Sequence, residues 1–342
     1  MKFIRWLLFP FSILYAAIVL LRNWAYDNQL YKSTSFHFPV VVIGNLAVGG
    51  TGKSPMTEYV LRLIKPYLKV TVLSRGYGRK TKGFRYVGVK DHATLVGDEP
   101  LQIKRKFPDT DVVVCENRVK GIQQIQDQTD AVLLDDAYQH RRLQPSFSIL
   151  LFDYASLTGP IIPLPTGNFR EQLNGSKRAD IIVVTKCPMD IPSTLKFSIE
   201  SRIRKHTQAA IFYTKVSYQR LQTINGLLYE ESILSDTAAI LLTGIAKPEP
   251  LFAYLKPQLK DLNHLSYPDH HNFSQEDLNK ISRSFQHLVA KHKIIITTEK
   301  DIQRLPTAFI EQYPVYYIPI EQTFLFRQAA AFDTMVKRAF RI

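Results

Sequence analysis

A glycine-rich segment that follows an apolar run constrains the fold of this chain more than any other feature. The apolar run occupies residues 40–43, and the segment continues to residue 55 through Gly52-Lys53-Ser54. In such a loop, backbone N–H groups point at the phosphates of a nucleotide, the lysine reaches the β- and γ-phosphates, and the serine hydroxyl can ligate Mg²⁺. The segment therefore predicts a P-loop whose nucleotide contacts come from Gly49, Gly50, Thr51, Gly52, Lys53, Ser54 and Pro55.

The spacing of this loop departs by one residue from the usual P-loop pattern. That pattern places a glycine five residues before Gly52, and this chain has Ala47 there, with Gly44 further back. The residues that follow support the assignment, because Pro55 suits the first turn of a helix. An apolar stripe with helical spacing comes next: Met56, Tyr59, Val60, Leu63 and Ile64. The alternative is an ordinary glycine-rich turn between a strand and a helix.

Continuous runs of Val, Ile and Leu predict buried parallel strands, because strands covered by helices on both faces lack polar alternation. The first set lies at residues 40–43, 70–73, 112–115, 132–134, 149–152 and 181–184, and the second at 210–216, 238–242, 294–296 and 315–318. We predict an α/β fold, a P-loop NTPase-like doubly wound parallel sheet with a second, smaller α/β domain. The predicted divisions are an apolar N-terminal helix and connection at 1–34, a P-loop core at 35–206 and a C-terminal domain at 207–342.

The first part of the chain is more apolar than the rest. Residues 6–21 carry no formal charge and are flanked by Lys2, Arg5 and Arg22. A helix of this run would measure about 24 Å, which is shorter than the ~30 Å hydrocarbon core of a bilayer, and Pro10 interrupts its first turns. We predict a membrane-associating helix that lies in the interface or spans only marginally. A secretory signal is the alternative, although no small-x-small cleavage site follows the apolar run.

The formal net charge of +14 suits an anionic partner. Nucleic acid and an acidic membrane surface are both candidates. No nucleic-acid-binding signature is present, and the apolar N-terminus favours the membrane, so we expect no nucleic-acid partner. Cys115 and Cys187 each lie in or beside an apolar run without zinc-site spacing, which predicts reduced thiols in the core.

Two acidic residues, Asp135 and Asp136, end the apolar run that starts at Ala131. A P-loop enzyme needs a second acidic group at the end of a neighbouring strand, where α/β ligands bind. One of the two carboxylates would hold Mg²⁺ beside Ser54, and the other would orient water or substrate. The sequence leaves open which one touches the metal. The alternative is a pair of solvated acids in a turn at the strand end.

Three further polar segments are dense in reactive groups, and each also has a simpler interpretation. Residues 73–78 could be only a turn, and Asp98-Glu99-Pro100 could be a helix start whose acids complement the helix dipole. Asp269-His270-His271 could be a metal site or a phosphoesterase signature, but the other acidic pairs expected of that class are not recognisably arranged.

Seven segments together resemble the tetraacyldisaccharide 4′-kinases of lipid A synthesis, in order and spacing over nearly the whole chain. They are GNLAVGGTGKSP (44–55), LSRGYG (73–78), GDEP (97–100), DDAYQHR (135–141), TGI (243–245), PDH (268–270) and TEKD (298–301). The apolar N-terminus also resembles the membrane-associating helix of that family, and LPTGNFRE (164–171) resembles another of its segments with some differences.

The resemblance implies transfer of the γ-phosphate of ATP to the 4′-hydroxyl of a tetraacylated glucosamine disaccharide 1-phosphate, with Mg²⁺. It implies a location at the cytoplasmic face of the inner membrane of a Gram-negative bacterium, with an acylated disaccharide phosphate lipid as partner. Apart from the resemblance, the charge predicts an anionic membrane surface as a second partner, and we expect a monomer. It carries over a base, Asp98, that His270 assists, and the phosphate-binding Lys53. Substrate-binding or supporting roles fall on Arg75, Glu99, Gln139, His140, Arg170 and Glu171.

Two other functions compete with this one. A membrane-associated P-loop switch would bind nucleotide and recruit a partner without phosphorylating a lipid, but its variant loop usually has a lysine where this chain has Val48. The second alternative is a nucleic-acid-dependent ATPase, and only the positive net charge supports it. Neither of these two functions needs an Asp-His pair drawn from two domains.

Overall fold

The computed structural model describes residues 5–342, and these form strands that alternate with helices along most of the chain. Lys2, one of the predicted flanking cations, lies outside the described residues. The strands are β1 (Val40–Asn45), β2 (Val70–Ser74), β3 (Arg85–Tyr86), β4 (Asp111–Val114), β5 (Ala131–Asp135), β6 (Phe147–Asp153), β7 (Ile181–Thr185), β8 (Ala210–Tyr218), β9 (Thr237–Thr243), β10 (Asp261–Ser266), β11 (His292–Thr298), β12 (Val315–Ile318) and β13 (Ile320–Phe324).

The helices follow the same order and mostly connect parallel strands. They are α1 (Phe9–Asp27), α2 (Lys53–Ile64), α3 (Ala93–Val96), α4 (Asp98–Lys106), α5 (Arg118–Ile125), α6 (Tyr154–Thr158), α7 (Ser193–Arg204), α8 (Glu249–Leu255), α9 (Gln275–Gln286), α10 (Thr307–Gln312) and α11 (Ala329–Ala339). Short 3₁₀ helices occupy Leu173–Arg178, Glu231–Asp236, Lys256–Gln258 and Asp301–Arg304.

The larger sheet has nine strands in the order β13-β8-β7-β6-β1-β5-β2-β4-β3. Its central strand β1 pairs in parallel with β5 and β6, and every residue of β1 is buried. Only β3 and β13, at the two edges, pair antiparallel with their neighbours. Separate apolar clusters cover the two faces, which is why the strands read as continuous apolar runs. The predicted doubly wound, P-loop NTPase-like sheet is confirmed.

The smaller sheet has four parallel strands in the order β10-β9-β11-β12. It also has an apolar cluster on each face, which contains residues of α8 on one side and of α9 on the other. The predicted second, smaller α/β domain is therefore confirmed. Both cysteines are free and buried, as predicted.

The strand pairing departs from the division predicted at residue 207. Strand β8 extends the larger sheet beside β7, and β13 returns from the far end of the chain to pair with β8. Helix α11 then packs on α2 through Phe332, whose ring lies 5.8 Å from that of Tyr59. An apolar run shows that a strand is buried but not which sheet it joins, so the predicted division placed residues 210–218 and 320–339 with the smaller domain, whereas they belong to the larger one.

Helix α1 places its polar side against the body of the protein and its apolar side outward. Ser12 Oγ donates to Thr166 Oγ1 (2.8 Å), and the Nδ2 of Asn23 donates to Glu171 (2.9 Å). The exposed apolar side chains include Phe11, Leu14 and Ile18, all about 60% exposed. By length and composition α1 is able to cross a membrane, a test that soluble core helices also pass. Its apolar face is not buried, however, unlike that of a soluble core helix.

The return of the chain end to the larger sheet predicts a large stability effect at Phe332. This side chain is fully buried, and its ring contacts those of Phe212 and Phe324 at 5.4 and 4.6 Å. Phe332→Ala should lower the free energy of unfolding by about 3–5 kcal/mol, measured by denaturant titration. Val289→Ala, at a site 87% exposed, should change it by less than about 0.5 kcal/mol. A small effect of Phe332→Ala would contradict this packing.

Candidate functional site

The P-loop runs from the end of β1 into the start of α2, as the sequence predicts. Gly52 precedes the helix with φ +82°, a left-handed conformation that glycine adopts without strain. The Nδ2 of Asn45 donates to Thr51 Oγ1 (2.8 Å), and Thr185 Oγ1 on β7 donates to the carbonyl of Thr51 (2.8 Å). These two bonds hold the loop in shape between the ends of two strands. Pro55 lies within the first turn of α2, buried.

Gly44 on β1 is required by close packing rather than by backbone conformation. A Cβ at this position would lie 2.6 Å from the Cβ of Tyr138. Tyr138 belongs to the segment that follows the strand-end acids, and its hydroxyl donates to the carbonyl of Gly175 (2.8 Å). The glycine thus lets the segment after β5 lie directly on the strand that leads into the P-loop.

The strand-end acids lie beside the P-loop lysine. Strand β5 pairs with β1 in a register that puts Asp135 next to Ile43. The Lys53 Nζ lies 3.7 Å from Asp136 Oδ1, and the Arg170 Nη1 lies 3.2 Å from the same oxygen. The structure therefore brings Lys53, Asp136 and Arg170 together, while Thr57 Oγ1 donates to Asp135 Oδ1 (3.3 Å).

Asp135 is a fully buried carboxylate whose pKa is raised by its surroundings. Burial raises its pKa to about 7, against the opposing effect of Lys53, while the charges of Asp136 and Glu99 raise it further. A bound divalent ion reverses this trend by favouring the ionised carboxylate. Ser54 at the start of α2 adds a hydroxyl, so the donors are the hard oxygen ligands that Mg²⁺ prefers. The residues present fit that ion.

Gln139 and His140 occupy the turn after the acids. The Nε2 of Gln139 donates to the carbonyl of Asn45 (2.7 Å), which ties this turn to the P-loop. Burial lowers the pKa of His140 to about 4, and the charges of Arg118, Arg142 and Arg75 lower it further. His140 is therefore neutral at physiological pH, and the exposed Arg75 belongs to the positive surroundings of the site.

Arg118 is a site residue that the sequence analysis missed. Its side chain is buried at the start of α5, and its Nη2 donates to the carbonyl of Asp136 (3.3 Å). Burial lowers the pKa of Arg118 to about 10, which still leaves it charged. No motif surrounds this arginine, so only a three-dimensional contact identifies it.

Glu171 lies away from the phosphate-binding groups and contacts helix α1 instead. Its buried carboxylate accepts from Asn23 Nδ2 and from Arg178 Nη2, both at 2.9 Å, and lies 3.6 Å from Arg22. The neighbouring Arg170 points to Asp136. These two adjacent residues thus face different partners, and Glu171 acts as a supporting residue that holds α1.

Asp98 and His270, predicted to act together, are in contact across the two domains. Asp98 is the first residue of α4 and is buried, and its Oδ2 lies 2.8 Å from His270 Nδ1. The Nζ of Lys300 lies 2.9 Å from the other ring nitrogen, Nε2. The Arg304 Nη2 also lies 2.6 Å from Nδ1, so the imidazole ring is held between Asp98, Arg304 and Lys300.

Arg304 completes this cluster and was not predicted from the sequence. Its Nε donates to Asp98 Oδ1 (2.7 Å), and its Nη2 contacts Asp98 Oδ2. Burial raises the pKa of Asp98, but the hydrogen bonds from His270 and Arg304 outweigh it and hold the pKa below its ordinary value. Asp98 is thus an ionised carboxylate at neutral pH.

The loop that carries His270 is fixed by the TGI and TEKD segments. The backbone N–H of His270 donates to the carbonyl of Gly244 (3.2 Å), and the N–H of Gly244 donates to Asp301 Oδ2 (2.9 Å). Thr298 Oγ1 donates to the same oxygen (2.7 Å). These segments, distant in sequence, are therefore one structural unit that presents His270 to the other domain.

The structure does not support the metal or phosphoesterase interpretation of residues 269–271. Asp269 pairs with Lys300 (3.1 Å), and His271 turns to Asp277 at the start of α9 (2.9 Å). Ligand atoms of Asp98, Glu99 and His270 do lie within 4.8 Å of one another. Arg304 and Lys300 already supply positive charge there, so a metal ion is not needed to neutralise these acids.

A second buried charge cluster joins the P-loop helix to the smaller domain. The Lys106 Nζ, at the end of α4, lies 2.6 Å from Glu58 on α2 and 2.7 Å from Glu299. Burial raises the pKa of Glu299 to about 7, and the charge of Glu58 raises it further against the effect of Lys106. Helix α4 is therefore tied to the smaller domain at both ends, by Asp98 and by Lys106.

The raised pKa of Glu299 gives a pH dependence of stability with a defined sign. The pKa of Glu299 is about 7 in the folded chain, whereas its ordinary value is 4.5. Between these two pH values the folded state therefore retains a proton that the unfolded state releases. The free energy of unfolding of the wild type should therefore fall, relative to Glu299→Gln, as the pH rises from about 4.5 to 7. Denaturant unfolding of both proteins across this range measures the difference. Parallel pH curves would contradict it.

Comparison with known proteins agrees with the resemblance noted in the sequence. A family model described as "Tetraacyldisaccharide-1-P 4'-kinase" matches residues 4–341. The chain is similar to proteins named tetraacyldisaccharide 4'-kinase from Flavobacterium johnsoniae, with 41% identity over 96% of this chain and 95% of the relative, and from Bacteroides thetaiotaomicron, with 40% identity over 97% and 92%.

A solved structure is also similar over the full length of the chain. It is the "apo" form of LpxK from Aquifex aeolicus in complex with ATP, and it matches with a TM-score of 0.77 and 27% identity over 98% of this chain and 99% of that chain. Because the match covers 98% of this chain, it includes both sheets and the N-terminal helix.

Proposed function

The chain belongs to the tetraacyldisaccharide 4′-kinase family and is an ATP-dependent kinase of lipid A biosynthesis, and on this premise we propose which residues carry out the transfer. Its acceptor is a lipid disaccharide phosphate, and ATP is the co-substrate. The contact that carries the proposal is the one between Asp98 and His270 across the domains, 2.8 Å long. A nucleotide switch without an acceptor, which is not favoured by the family match, has no use for this contact.

The γ-phosphate of ATP lies against the P-loop in this proposal. Backbone N–H groups of residues 49–54 and the Nζ of Lys53 bind the phosphates, and Arg170 faces the same place from beside Asp136. Ser54 with Asp135 or Asp136 would hold Mg²⁺, which supplies positive charge to the phosphates. Arg118 donates to the backbone carbonyl of Asp136 and so helps to hold this residue in position.

Asp98 acts as the base that receives the proton of the acceptor 4′-hydroxyl. Arg304 donates to its oxygens and His270 contacts one of them, and these contacts hold the carboxylate ionised and oriented. Their contacts use three of the roughly four lone-pair sites of the carboxylate, which leaves room for the hydroxyl. A low pKa suits this task, because phosphoryl transfer depends mainly on positioning and charge rather than on a strong base.

Substitution of Lys53 and of Asp98 should have different kinetic effects. Lys53→Ala should abolish turnover, because it removes the charge that binds the transferred phosphate. Asp98→Asn should lower kcat by about 10²- to 10⁴-fold with little change in KM for ATP. Steady-state kinetics with labelled ATP and a lipid A precursor measures both, and circular dichroism checks the fold. Full activity of Lys53→Ala, or an effect of Asp98→Asn on KM alone, would refute these roles.

The same labelled assay separates the kinase from its rivals. Label in the lipid identifies a kinase, whereas label only in inorganic phosphate identifies a switch or a motor. Thr323→Ala is a suitable control, because its exposed side chain contacts Ser217 on β8 (2.7 Å) and not the P-loop. It should leave the amount of labelled lipid unchanged.

We also propose that α1 lies in the membrane at the cytoplasmic face of the inner membrane, and that the protein acts as a monomer. The support is the inverted polarity of α1, whose polar side contacts the body and whose apolar side is exposed. A lipid acceptor enters from the bilayer, and ATP is available on the cytoplasmic side. The net charge of +14 adds attraction to an anionic surface of the bilayer.

Charged residues on the outer face of α1 should weaken membrane binding. Leu14→Asp with Ile18→Asp replaces two side chains that are each 59% exposed and should reduce sedimentation with anionic vesicles by tenfold or more, since burying one such side chain contributes about 1.5–3 kcal/mol. KM for the lipid acceptor should rise, while slow ATP hydrolysis remains. Val289→Asp, on the smaller domain, is the matched control. Unchanged sedimentation of the double variant would show that α1 is not the anchor.

A further inference from the structure

Glu299, in the TEKD segment, has no role in the proposed transfer, yet it is buried against the larger domain. Its Oε1 lies 2.7 Å from the Nζ of Lys106 at the end of α4. The same Nζ lies 2.6 Å from Glu58, a fully buried residue of the P-loop helix α2. The Nε2 of Gln102 on α4 donates to the other oxygen of Glu58 (2.8 Å). One lysine therefore contacts two buried carboxylates, one from each domain.

The charges of this cluster do not balance if both glutamates are ionised. Arg62 on α2 also acts on Glu299, but it pairs with Glu321 at 3.0 Å. Tyr317 on β12 faces the cluster, and its pKa is raised, first by burial, so that it is neutral at physiological pH. The Oε2 of Glu299 is buried and accepts no hydrogen bond within residues 5–342. Because a buried net charge is costly, a proton on Glu299 is what balances the cluster.

We propose that Glu58, Lys106 and Glu299 are positioning residues that hold α4, and with it Asp98, between the P-loop helix and the smaller domain, and that closure of the two domains takes up one proton at this contact. Lys106 reaches both partners from the last residue of α4, whereas Asp98 is the first residue of the same helix. This inference rests on the proposed function, since it concerns the arrangement in which Asp98 serves as the base.

Asp98 lies beneath side chains of the smaller domain and is only 4% exposed, so a disaccharide reaches it only when the domains move apart. The chain allows this movement, because within residues 5–342 it passes between the two sheets only twice, after β8 and before β13. On opening, Lys106 and Glu58 remain together as a neutral pair, while Glu299 leaves with the smaller domain and is solvated. On closing, Glu299 returns to a pair that is already neutral, and it takes up a proton.

Rising pH should therefore weaken closure over a defined range. The pKa of Glu299 has an ordinary value of 4.5 when the side chain is solvated and is about 7 in the closed cluster. Between these values the closed state keeps a proton that the open state releases. The equilibrium shifts toward the open state by at most about tenfold per pH unit in this range and levels off above it. Glu299→Gln has no proton to take up, and its neutral amide still accepts from Lys106.

The test compares the kcat of the wild type with that of Glu299→Gln across pH. Transfer of label from ATP to a tetraacylated disaccharide 1-phosphate is measured at saturating substrate from about pH 5.5 to about pH 8.5. The two proteins should have similar kcat at the acid end, and above about pH 7 the variant should exceed the wild type by about 3- to 10-fold. KM for ATP should not differ, because the P-loop is unchanged. Titration of ATP and of Asp135 is common to both proteins and cancels in the ratio.

Two further variants test the charge balance independently. Glu58→Gln lets an ionised Glu299 pair with Lys106 alone, so its kcat should follow the pH profile of Glu299→Gln. Lys106→Met leaves two buried carboxylates without their cation and should lower kcat by about 10- to 100-fold, with little change in KM for ATP. Lys106→Arg should retain most of the activity, because the positive charge remains. If circular dichroism shows that Lys106→Met does not fold, the two glutamine variants decide.

The matched control is Glu231→Gln, the same change at an exposed acid of the smaller domain that pairs with Arg220 (3.4 Å). It should keep the pH profile of the wild type. A ratio of wild type to Glu299→Gln that does not change with pH would overturn the inference, as would an equal change of profile in the control. Equal losses in Lys106→Met and Lys106→Arg would show that the charge of this lysine is not what matters. A wild type that transfers no label to the lipid would instead refute the proposed function.

Discussion

The buried charge pair between Asp98 and Arg304 is the contact on which the arrangement of the two sheets depends. Both side chains are about 5% exposed, and they belong to different domains. Separating such a pair leaves an uncompensated buried charge, which costs about 3–5 kcal/mol. Lys106, at the opposite end of the same helix, pairs with Glu299 just before the segment that carries Arg304. Helix α4 is therefore held at both ends, and the position of Asp98 is set by the smaller domain.

Helix α1 is attached by polar contacts where most helices use apolar ones. Ser12, Tyr15 and Asn23 bond to the segment around residues 166–171, which also supplies Arg170 to the phosphate-binding groups. One short segment thus joins the apolar helix to the P-loop region. Hydrogen bonds thus specify which face of the helix contacts the protein, and the apolar face is left exposed.

Local sequence patterns predicted much of this molecule, and the remainder depends on contacts between distant segments. The strand, loop and helix around Lys53 and the acids that end β5 have short-range signals, because parallel strands bring their ends to one edge. Arg304, Arg118 and the partners of Lys106 have none, since their contacts join segments that are distant in sequence. The joining of β8 and β13 to the larger sheet was missed for a related reason: strand propensity does not encode neighbours. Asp98 with His270 was inferred through family resemblance rather than from spacing.

The late return of the chain to the larger sheet has a consequence for biosynthesis. The Nε2 of Gln322, on β13, lies 3.5 Å from the carbonyl of Gly52, and α11 packs on the helix that starts at the P-loop. On the ribosome, these elements emerge only after the smaller domain has been made. The contacts that β13 and α11 make with the P-loop and its helix therefore form late in synthesis, after the segment that carries His270 has been made.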